Sequence, residues 1–301
     1  MTSAPTQTIR RISALSEISG RYDAILCDIW GVVHNGVHAF QPAAEALASY
    51  RERGGAVVLV TNAPRPSAPI RRQLHRFGVT DASFDAIATS GDVTIQLIAE
   101  RIDQPVLHIG PDRDLSLFEA AAEQAGRPPR MVSAEEAAYV LCTGLRDDTA
   151  ETADDYADEL RALRRRGLVM ICANPDLIIH RGDTVIYCAG ALAQAYEALG
   201  GEVIYGGKPH APIYALALAL AGRALGRPLG RSRALAIGDG MKTDIAGAVA
   251  AGLDALLVTQ GIHRDALHGE AIDAPADEAS LSRLCADYGL WPAAAIPTLR
   301  G

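Results

Sequence analysis

The chain has 301 residues, roughly twice the usual domain length, so it forms either one large domain or two ordinary ones. Hydrophobic residues make up 49% and charged residues 21%, which excludes a disordered chain and predicts a substantial buried core. The net charge of −8 argues against binding along a nucleic acid, but it leaves room for a small anionic ligand at a locally positive site.

Short apolar runs alternate with helical stretches, a pattern typical of a parallel sheet wrapped by helices. Up to residue 102 the predicted strands are 22–28, 56–60 and 86–89, and the predicted helices are 42–53, from 66 or 69 to 77, and 92–102. A second α/β set follows, with strands 106–109, 139–143 and 169–173 and helices near 115–125 and 151–166. The last part has strands 203–205, 234–237 and 255–258 and helices 189–199, 212–225 and 242–251. The sequence therefore predicts an α/β protein.

Cysteine usage and hydropathy indicate the compartment. No segment reaches the roughly 20 apolar residues that a membrane-spanning helix needs, and no long apolar segment near the N-terminus suggests a secretory signal. The five cysteines are odd in number and scattered, and none forms a CxxC pair. We expect reduced thiols in a cytoplasmic protein, without a membrane or a nucleic acid as partner.

Polar residues follow several predicted strands at the point where each strand ends. They are Asp28, Thr61 with Asn62, Lys208 and Asp239, and Asp244 comes five residues after Asp239. Ligands of open α/β sheets bind at the carboxyl ends of the strands, so we expect these side chains to line one rim.

This set of side chains suits phosphoryl transfer. A strand-end aspartate such as Asp28 can attack phosphorus, and Mg²⁺ relieves the repulsion between neighbouring carboxylates. Lys208 and the Thr61 hydroxyl would hold the phosphoryl group. Each residue also has a structural alternative as a turn, helix cap or solvated lysine. Independent caps, however, have no reason to fall at the ends of four strands.

Four motifs carry a resemblance to a known family. They are Asp28-Ile29-Trp30-Gly31-Val32, Val60-Thr61-Asn62, Gly207-Lys208-Pro209 and the full GDxxxTD pattern from Gly238 to Asp244. In this order and spacing the chain resembles the haloacid dehalogenase (HAD) superfamily over nearly its whole length. It is similar to subfamily IIA, which contains nitrophenyl-phosphatases and nucleotide or sugar-phosphate phosphatases. The first motif departs from the family pattern DxDx[TV] at Trp30.

The resemblance implies a fold and a ligand set. It implies a doubly wound parallel-sheet core made of residues 1–102 and 187–301, interrupted by an α/β cap domain at 103–186. Asp28 would be the nucleophile, and Mg²⁺ would be held by Asp28, Asp239 and the Trp30 carbonyl, supported by Asp244. Many members of the subfamily dimerise through the cap, which leaves a homodimer open.

The resemblance also implies the contacts to the substrate, a small phosphorylated metabolite. Lys208 and Thr61 would bind the phosphate, and Asn62 and the Gly31 amide would add hydrogen bonds. Asn174 and Asp176 correspond to cap residues that face the substrate, although an Asn-Pro-Asp turn explains them equally well.

Trp30 stands where the family has its general acid and base. An acid–base group contributes roughly 10²- to 10⁴-fold in rate, so three interpretations follow. The chain is a slow Mg²⁺-dependent phosphatase, with His34 as the nearest substitute acid. Alternatively, it is a metal-independent dehalogenase, since dehalogenases of the superfamily carry an aromatic residue at this position. Thirdly, it is a non-catalytic binder of a phosphorylated metabolite. We favour the first, because the other catalytic positions are retained.

Overall fold

The computed structural model describes residues 9–181, 184–268 and 276–301. These residues divide into two compact units. Of the described residues, the first unit comprises 9–61, 71–88, 214–268 and 276–301, and the second comprises 62–70, 89–181 and 184–213. In the described part of the chain, no helix combines the length and the apolar character needed to cross a bilayer.

The first unit is built on a mainly parallel sheet. Its strands are β1 (Arg10–Arg11), β2 (Ala24–Asp28), β3 (Ala56–Thr61), β4 (Ala86–Thr89), β11 (Ala234–Gly238), β12 (Asp254–Val258) and β13 (Ala294–Ile296). Among the described residues, seven strands lie in the order β1-β13-β12-β11-β2-β3-β4. The central strands β2 and β11 are buried along their whole length, as strands covered on both faces by helices must be.

The helices of the described residues include a counterpart of each predicted helix, and three that the sequence does not predict, at 16–19, 264–268 and 278–288. They are α1 (Ser16–Ser19), α2 (Gln41–Glu52), α3 (Ser67–Arg76), α4 (Ser90–Ala99), α5 (Ser116–Ala125), α6 (Ala157–Arg165), α7 (Ala189–Ala198), α8 (Ala211–Leu225), α9 (Ala246–Ala250), α10 (Arg264–His268) and α11 (Glu278–Tyr288). The predicted helix 242–251 begins as a π-helical turn, Met241–Ile245, and continues as α9.

The second unit has a parallel sheet of its own. Its strands are β5 (Val106–Ile109), β6 (Tyr139–Cys142), β7 (Val169–Cys172) and β10 (Val203–Tyr205). Between β7 and β10 along the chain, β8 (Ile178–Arg181) and β9 (Thr184–Tyr187) pair antiparallel with each other. In the described residues this sheet has four strands in the order β10-β7-β6-β5. The α/β fold with a core sheet and an inserted α/β unit is therefore confirmed.

The boundaries of the inserted unit differ from the predicted 103–186. β10, expected in the core sheet, pairs with β7 in the smaller sheet, with Val203 opposite Met170. Residues of α4 and α7, namely Ile95, Ile98, Leu192, Ala193 and Tyr196, are buried in the apolar clusters of the second unit. The apolar faces of these two helices pack inside the inserted unit, and this extends the unit beyond both predicted limits.

Candidate active site

Three buried carboxylates meet at the carboxyl end of the larger sheet. Asp28 is the last residue of β2 and Asp239 follows β11, and the two strands are parallel neighbours. Asp244 lies in the π-helical turn that comes next. Each side chain offers an oxygen within 4.8 Å of the other two, and all three are buried. The structure thus brings together the carboxylates that the sequence places at one site.

This cluster fits a divalent metal ion. Buried carboxylates at such distances repel one another, and the ionised forms are unfavourable without a compensating positive charge. Hard divalent cations take carboxylate oxygens as their preferred ligands. Asp28, Asp239 and Asp244 therefore form a donor set suited to one such ion.

Hydrogen bonds within its own turn hold Asp244. Its Oδ2 accepts from the backbone N–H of Gly240 at 3.0 Å and from the Thr243 hydroxyl at 3.2 Å. A Cβ on Gly238 would lie 2.1 Å from Asp244 Cγ, so only glycine fits at the end of β11. The glycine and threonine of the GDxxxTD pattern thus serve to place this carboxylate.

Asp239 is held by a loop that the sequence interpretation missed. The N–H of Ile262 donates to Asp239 Oδ2 at 2.8 Å, and a Cβ on Gly261 would lie only 2.0 Å from the same oxygen. Both residues lie in the loop after β12. The one signal in the sequence is a glycine shortly after a predicted strand, which permits close approach of another chain segment. Gly261 and Ile262 therefore belong to the site as supports of Asp239.

Gly31 also lies close to Asp239. Its φ is 82°, and a Cβ would lie 2.2 Å from Asp239 Oδ2, so the position requires glycine. Its N–H donates to the carbonyl oxygen of His34 at 2.8 Å. The sequence interpretation assigns this amide to the substrate, and the structure instead uses it to close the loop. Gly31 acts by making room for a carboxylate.

Trp30 lies in the same loop, two residues after Asp28. Trp30 is 45% exposed, and its indole packs edge-to-face against the His34 ring, with centroids 5.2 Å apart. Gly36 has a φ of 86°, and a Cβ there would lie 2.4 Å from the indole Cη2. The turn at Gly36 and the position of the indole therefore depend on each other.

His34 does not fit the role of a substitute acid. It is buried between the rings of Trp30 and Phe77, and its Nδ1 accepts a hydrogen bond from the Gly36 N–H at 3.0 Å. Burial lowers the pKa of His34 to about 4, so the ring is neutral near pH 7. A neutral ring with one nitrogen committed to the backbone is a packing residue of the loop, not a proton donor.

Thr61 is the last residue of β3, next to the strand of the nucleophile. β3 runs parallel to β2 with Val60 opposite Asp28, so Thr61 lies one residue beyond that pair. Its position at the carboxyl end of the sheet agrees with the prediction.

A second polar cluster lies within the second unit, where Asn62, Asp176 and Lys208 come together. The Asn62 Oδ1 accepts from the Lys208 N–H at 2.7 Å, and its Nδ2 donates to Asp176 Oδ1 at 2.9 Å. Asn174 Oδ1 accepts from the Asp176 N–H at 3.1 Å, which fixes an Asx turn. Lys208, Asn62 and Asn174 are all buried. Four residues predicted from three separate segments of the sequence thus form one connected cluster.

Comparison with known proteins identifies the family. Residues 25–124 match the family model of haloacid dehalogenase-like hydrolases, and residues 205–281 match a HAD-hydrolase-like model. A solved hydrolase of the haloacid dehalogenase-like family from Brucella suis 1330 is 42% identical, over 96% of this chain and 99% of that one, with a TM-score of 0.80. The chain belongs to the haloacid dehalogenase-like hydrolase family.

Two further relatives of this HAD-like hydrolase bear the names of phosphatases. The 5'-nucleotidase YutF of Bacillus subtilis (strain 168) is 28% identical over 244 residues, which make up 80% of this chain and 88% of that protein. The D-glycerol 3-phosphate phosphatase of Mycobacterium tuberculosis (strain ATCC 25618 / H37Rv) is 29% identical over 266 residues, 87% of this chain and 70% of that protein. The predicted resemblance to the haloacid dehalogenase superfamily is confirmed.

Proposed function

We propose that this HAD-like hydrolase is a slow, Mg²⁺-dependent phosphatase that acts on a small phosphorylated metabolite. The observation that carries the proposal is the triad of buried carboxylates, with Asp28 at the end of a central strand. The names of two relatives, a nucleotidase and a glycerol phosphate phosphatase, support a phosphate monoester as the substrate class. A cytoplasmic location and a homodimer formed through the inserted unit belong to the same proposal.

In this mechanism Asp28 is the nucleophile. A carboxylate oxygen of Asp28 forms a bond to phosphorus while the bond to the leaving oxygen breaks, and the leaving oxygen departs with the electron pair. Water then attacks the aspartyl-phosphate, inorganic phosphate leaves, and the Asp28 carboxylate is restored. When bound, Mg²⁺ supplies positive charge beside the phosphoryl oxygens. The Trp30 carbonyl, Asp28 and Asp239 would hold it, supported by Asp244.

Lys208 and Thr61 would stabilise the phosphoryl group itself. An ammonium and a hydroxyl directed at the transferring group neutralise charge that grows in the transition state. Contacts of Asn174 and Asp176 with the substrate remain predictions. The Gly31 amide has no such contact in this proposal, because it donates to His34.

Trp30 is the reason that turnover is expected to be slow. An indole carries no proton that it can release near neutral pH, and the neutral, buried His34 does not replace the missing acid. Trp30 is also the observation that favours a second candidate, a protein that binds a phosphorylated metabolite without hydrolysing it. The intact acidic triad counts against the metal-independent dehalogenase.

A single panel of assays separates these candidates. Purified protein with Mg²⁺ is incubated with sugar phosphates, nucleotides and nitrophenyl phosphate, and inorganic phosphate is measured against Asp28→Asn. Release that disappears in Asp28→Asn supports the phosphatase, and no release above that control contradicts it. Binding of the esters without release identifies the non-catalytic binder. Chloride release from a 2-haloacid in the presence of a chelator identifies the dehalogenase.

A further inference from the structure

The carboxamide of Asn62 is fully engaged by protein groups. Its Oδ1 accepts from the Lys208 N–H at 2.7 Å, and its Nδ2 donates both to Asp176 Oδ1 at 2.9 Å and to the Lys208 carbonyl at 3.2 Å. An asparagine amide has two N–H donors, and both are used here. The side chain is also buried. Asn62 therefore has no donor left to offer a substrate.

Two of these hydrogen bonds hold Lys208 on both sides of its Cα, and we call this pair of bonds the clamp. One partner is the N–H of Lys208 and the other is its carbonyl oxygen, so the main chain from which the ammonium extends is fixed in position and direction. A lysine side chain is long and flexible, and its aim depends on where its Cα is held. Asn62 is thus placed to set the reach of the Lys208 ammonium.

The close approach of Asn62 to the segment that carries Lys208 depends on Gly207. A Cβ at position 207 would lie 2.4 Å from Asn62 Oδ1 and 2.8 Å from the Cδ of Pro175. Any side chain there would push the amide away from Lys208. In the motif Gly207-Lys208, Gly207 therefore leaves space for the Asn62 side chain, and Lys208 is the residue that Asn62 holds.

The third partner, Asp176, is itself held in place. Asn174 accepts from the Asp176 N–H, and the turn packs so closely against α7 that a Cβ on Gly190 would lie 2.2 Å from the Pro175 carbonyl oxygen. A hydrogen bond to a carboxylate is stronger than one between neutral groups. Asp176 therefore orients the Asn62 amide, so that its remaining N–H and its oxygen face Lys208.

We propose that Asn62 is a positioning residue for Lys208, oriented by Asp176, and does not itself contact the substrate. This inference rests on the proposed phosphatase function, in which Lys208 stabilises the transferring phosphoryl group. A misplacement of about 1 Å in a catalytic group can reduce the rate up to about 100-fold. Loss of the clamp should therefore lower kcat much more than it changes KM.

A double-mutant cycle tests the proposal. Asn62→Ala, Lys208→Ala and the double variant are compared with the wild type in kcat, with Gln96→Ala on the exposed face of α4 as the control for loss of a carboxamide. We expect kcat to fall roughly 10- to 100-fold in Asn62→Ala, with little further loss when Asn62→Ala is added to Lys208→Ala. Additive losses in the cycle would overturn the proposal, because Asn62 would then act independently of Lys208.

A rescue variant covers the case in which Asn62→Ala does not fold. Asn62→Asp keeps the acceptor for the Lys208 N–H but places a second carboxylate beside Asp176, and we expect kcat to fall. Adding Asp176→Asn reverses donor and acceptor in that pair and should recover part of the lost rate, because the bond from the Lys208 N–H is kept in place while the donor to the Lys208 carbonyl stays absent. Failure of this combination to recover any rate would contradict the clamp.

Hydrogen exchange separates failure of the clamp from failure of the proposed function. If the wild type releases no phosphate, the proposed function fails, and the exchange rate of the Lys208 backbone amide still reports on the clamp. The positioning role is supported if the Lys208 amide exchanges faster in Asn62→Ala than in the wild type. It is also supported if the double variant Asn62→Asp, Asp176→Asn exchanges at close to the wild-type rate. An unchanged Lys208 amide in Asn62→Ala overturns it.

Discussion

The side chain two residues after Asp28 is an indole that rests on Gly36 and His34. This arrangement leaves the metal-binding carboxylates intact, because the position would contribute only its backbone carbonyl to the metal. What it removes is a group that could give a proton to the leaving oxygen and take one from water. At the residue scale, the proposed function therefore predicts a site that keeps metal binding and nucleophilic attack but lacks the side chain for proton transfer.

Replacing Trp30 by aspartate should restore the missing acid. We expect Trp30→Asp to raise kcat for glycerol phosphate roughly 10²- to 10⁴-fold, the usual contribution of a positioned acid–base group. The measurement is steady-state phosphate release with Mg²⁺. Trp30→Asn is the matched control, because it has nearly the same shape without the acid. Equal rates for the two variants would show that a proton donor at this position does not limit turnover.

Asp114 in the second unit should make stability depend on pH. Burial raises its pKa from 3.8 to about 6, and a hydrogen bond from Thr143 opposes that rise. The folded-state pKa exceeds the unfolded value, so the contribution to stability is present below about pH 4 and is lost as the pH rises towards 6. In Asp114→Asn, the free energy of unfolding should therefore change less with pH between pH 4 and 6 than it does in the wild type. Urea titrations at several pH values measure this free energy. The same pH dependence in Asp114→Asn and in the wild type would show that Asp114 is not its source.

At the scale of elements, the loop after β12 supports the metal site from outside the sequence motifs. Gly261 and Ile262 contact the same oxygen of Asp239, one by close packing and one by a hydrogen bond. Groups that orient a metal ligand typically affect metal affinity about 10- to 100-fold. The loop is therefore expected to determine how tightly the site holds its ion.

Gly261→Ala should weaken metal binding. The added methyl group would lie 2.0 Å from Asp239 Oδ2, so either the loop or the carboxylate must move. We expect the Mg²⁺ dissociation constant, measured by calorimetric titration, to rise about tenfold or more. Gly230→Ala is the control, because a Cβ there meets nothing within 4 Å. Unchanged affinity in Gly261→Ala would exclude the loop as a support of the site.

The strands of the larger sheet are largely predictable from the sequence, whereas membership of a sheet is not. β2, β3 and β11 are continuous apolar runs with polar residues after them, and this pattern reveals both the strands and the candidate site residues. β10 has three half-buried residues that could lie at the edge of either sheet. Its pairing with β7 determines which sheet it joins, and that pairing connects segments distant in sequence.

Two local signals mark structure that the apolar pattern does not predict. Thr89 and Asp92 form a capping box, so α4 begins at Ser90 and not at the predicted residue 92. In the sequence, Gly182-Asp183 separates two runs rich in β-branched residues, which is a two-residue turn signal, and β8 and β9 pair on either side. The contact of Gly261 with Asp239 has no comparable local signal, because it arises from packing of one loop on another.

At the scale of the whole molecule, a net charge of −8 is compatible with an anionic substrate, because in the proposed function a bound cation and Lys208 supply positive charge locally. The acidic triad concentrates negative charge at one end of the larger sheet, and Lys208 is buried in the polar cluster of the second unit. A cation that binds only the folded chain stabilises it by mass action, about 2.7 kcal/mol at 100 times its dissociation constant. Binding of a metal ion at the triad is therefore expected to raise the free energy of unfolding.

This coupling should be visible in thermal unfolding. We expect Mg²⁺ to raise Tm relative to a chelator, and Asp239→Asn to lose most of that increase. In the chelator, Asp239→Asn should be at least as stable as the wild type, because one of three repelling carboxylates is gone. Asp287→Asn, at an exposed position of α11, is the charge-matched control. A wild-type Tm that does not respond to Mg²⁺ would contradict a metal site at the triad.

The most direct test of the central claim is to look for the phosphoryl group on Asp28. Nitrophenolate is a weak base and leaves without a proton, so nitrophenyl phosphate should phosphorylate Asp28, while hydrolysis lacks the base that activates water. We therefore expect acid-quenched wild-type protein, taken during turnover with Mg²⁺, to carry the mass of one phosphoryl group, mapped to Asp28 and absent from Asp28→Asn. Unmodified Asp28 throughout turnover, or a phosphoryl group on another residue, would contradict the account.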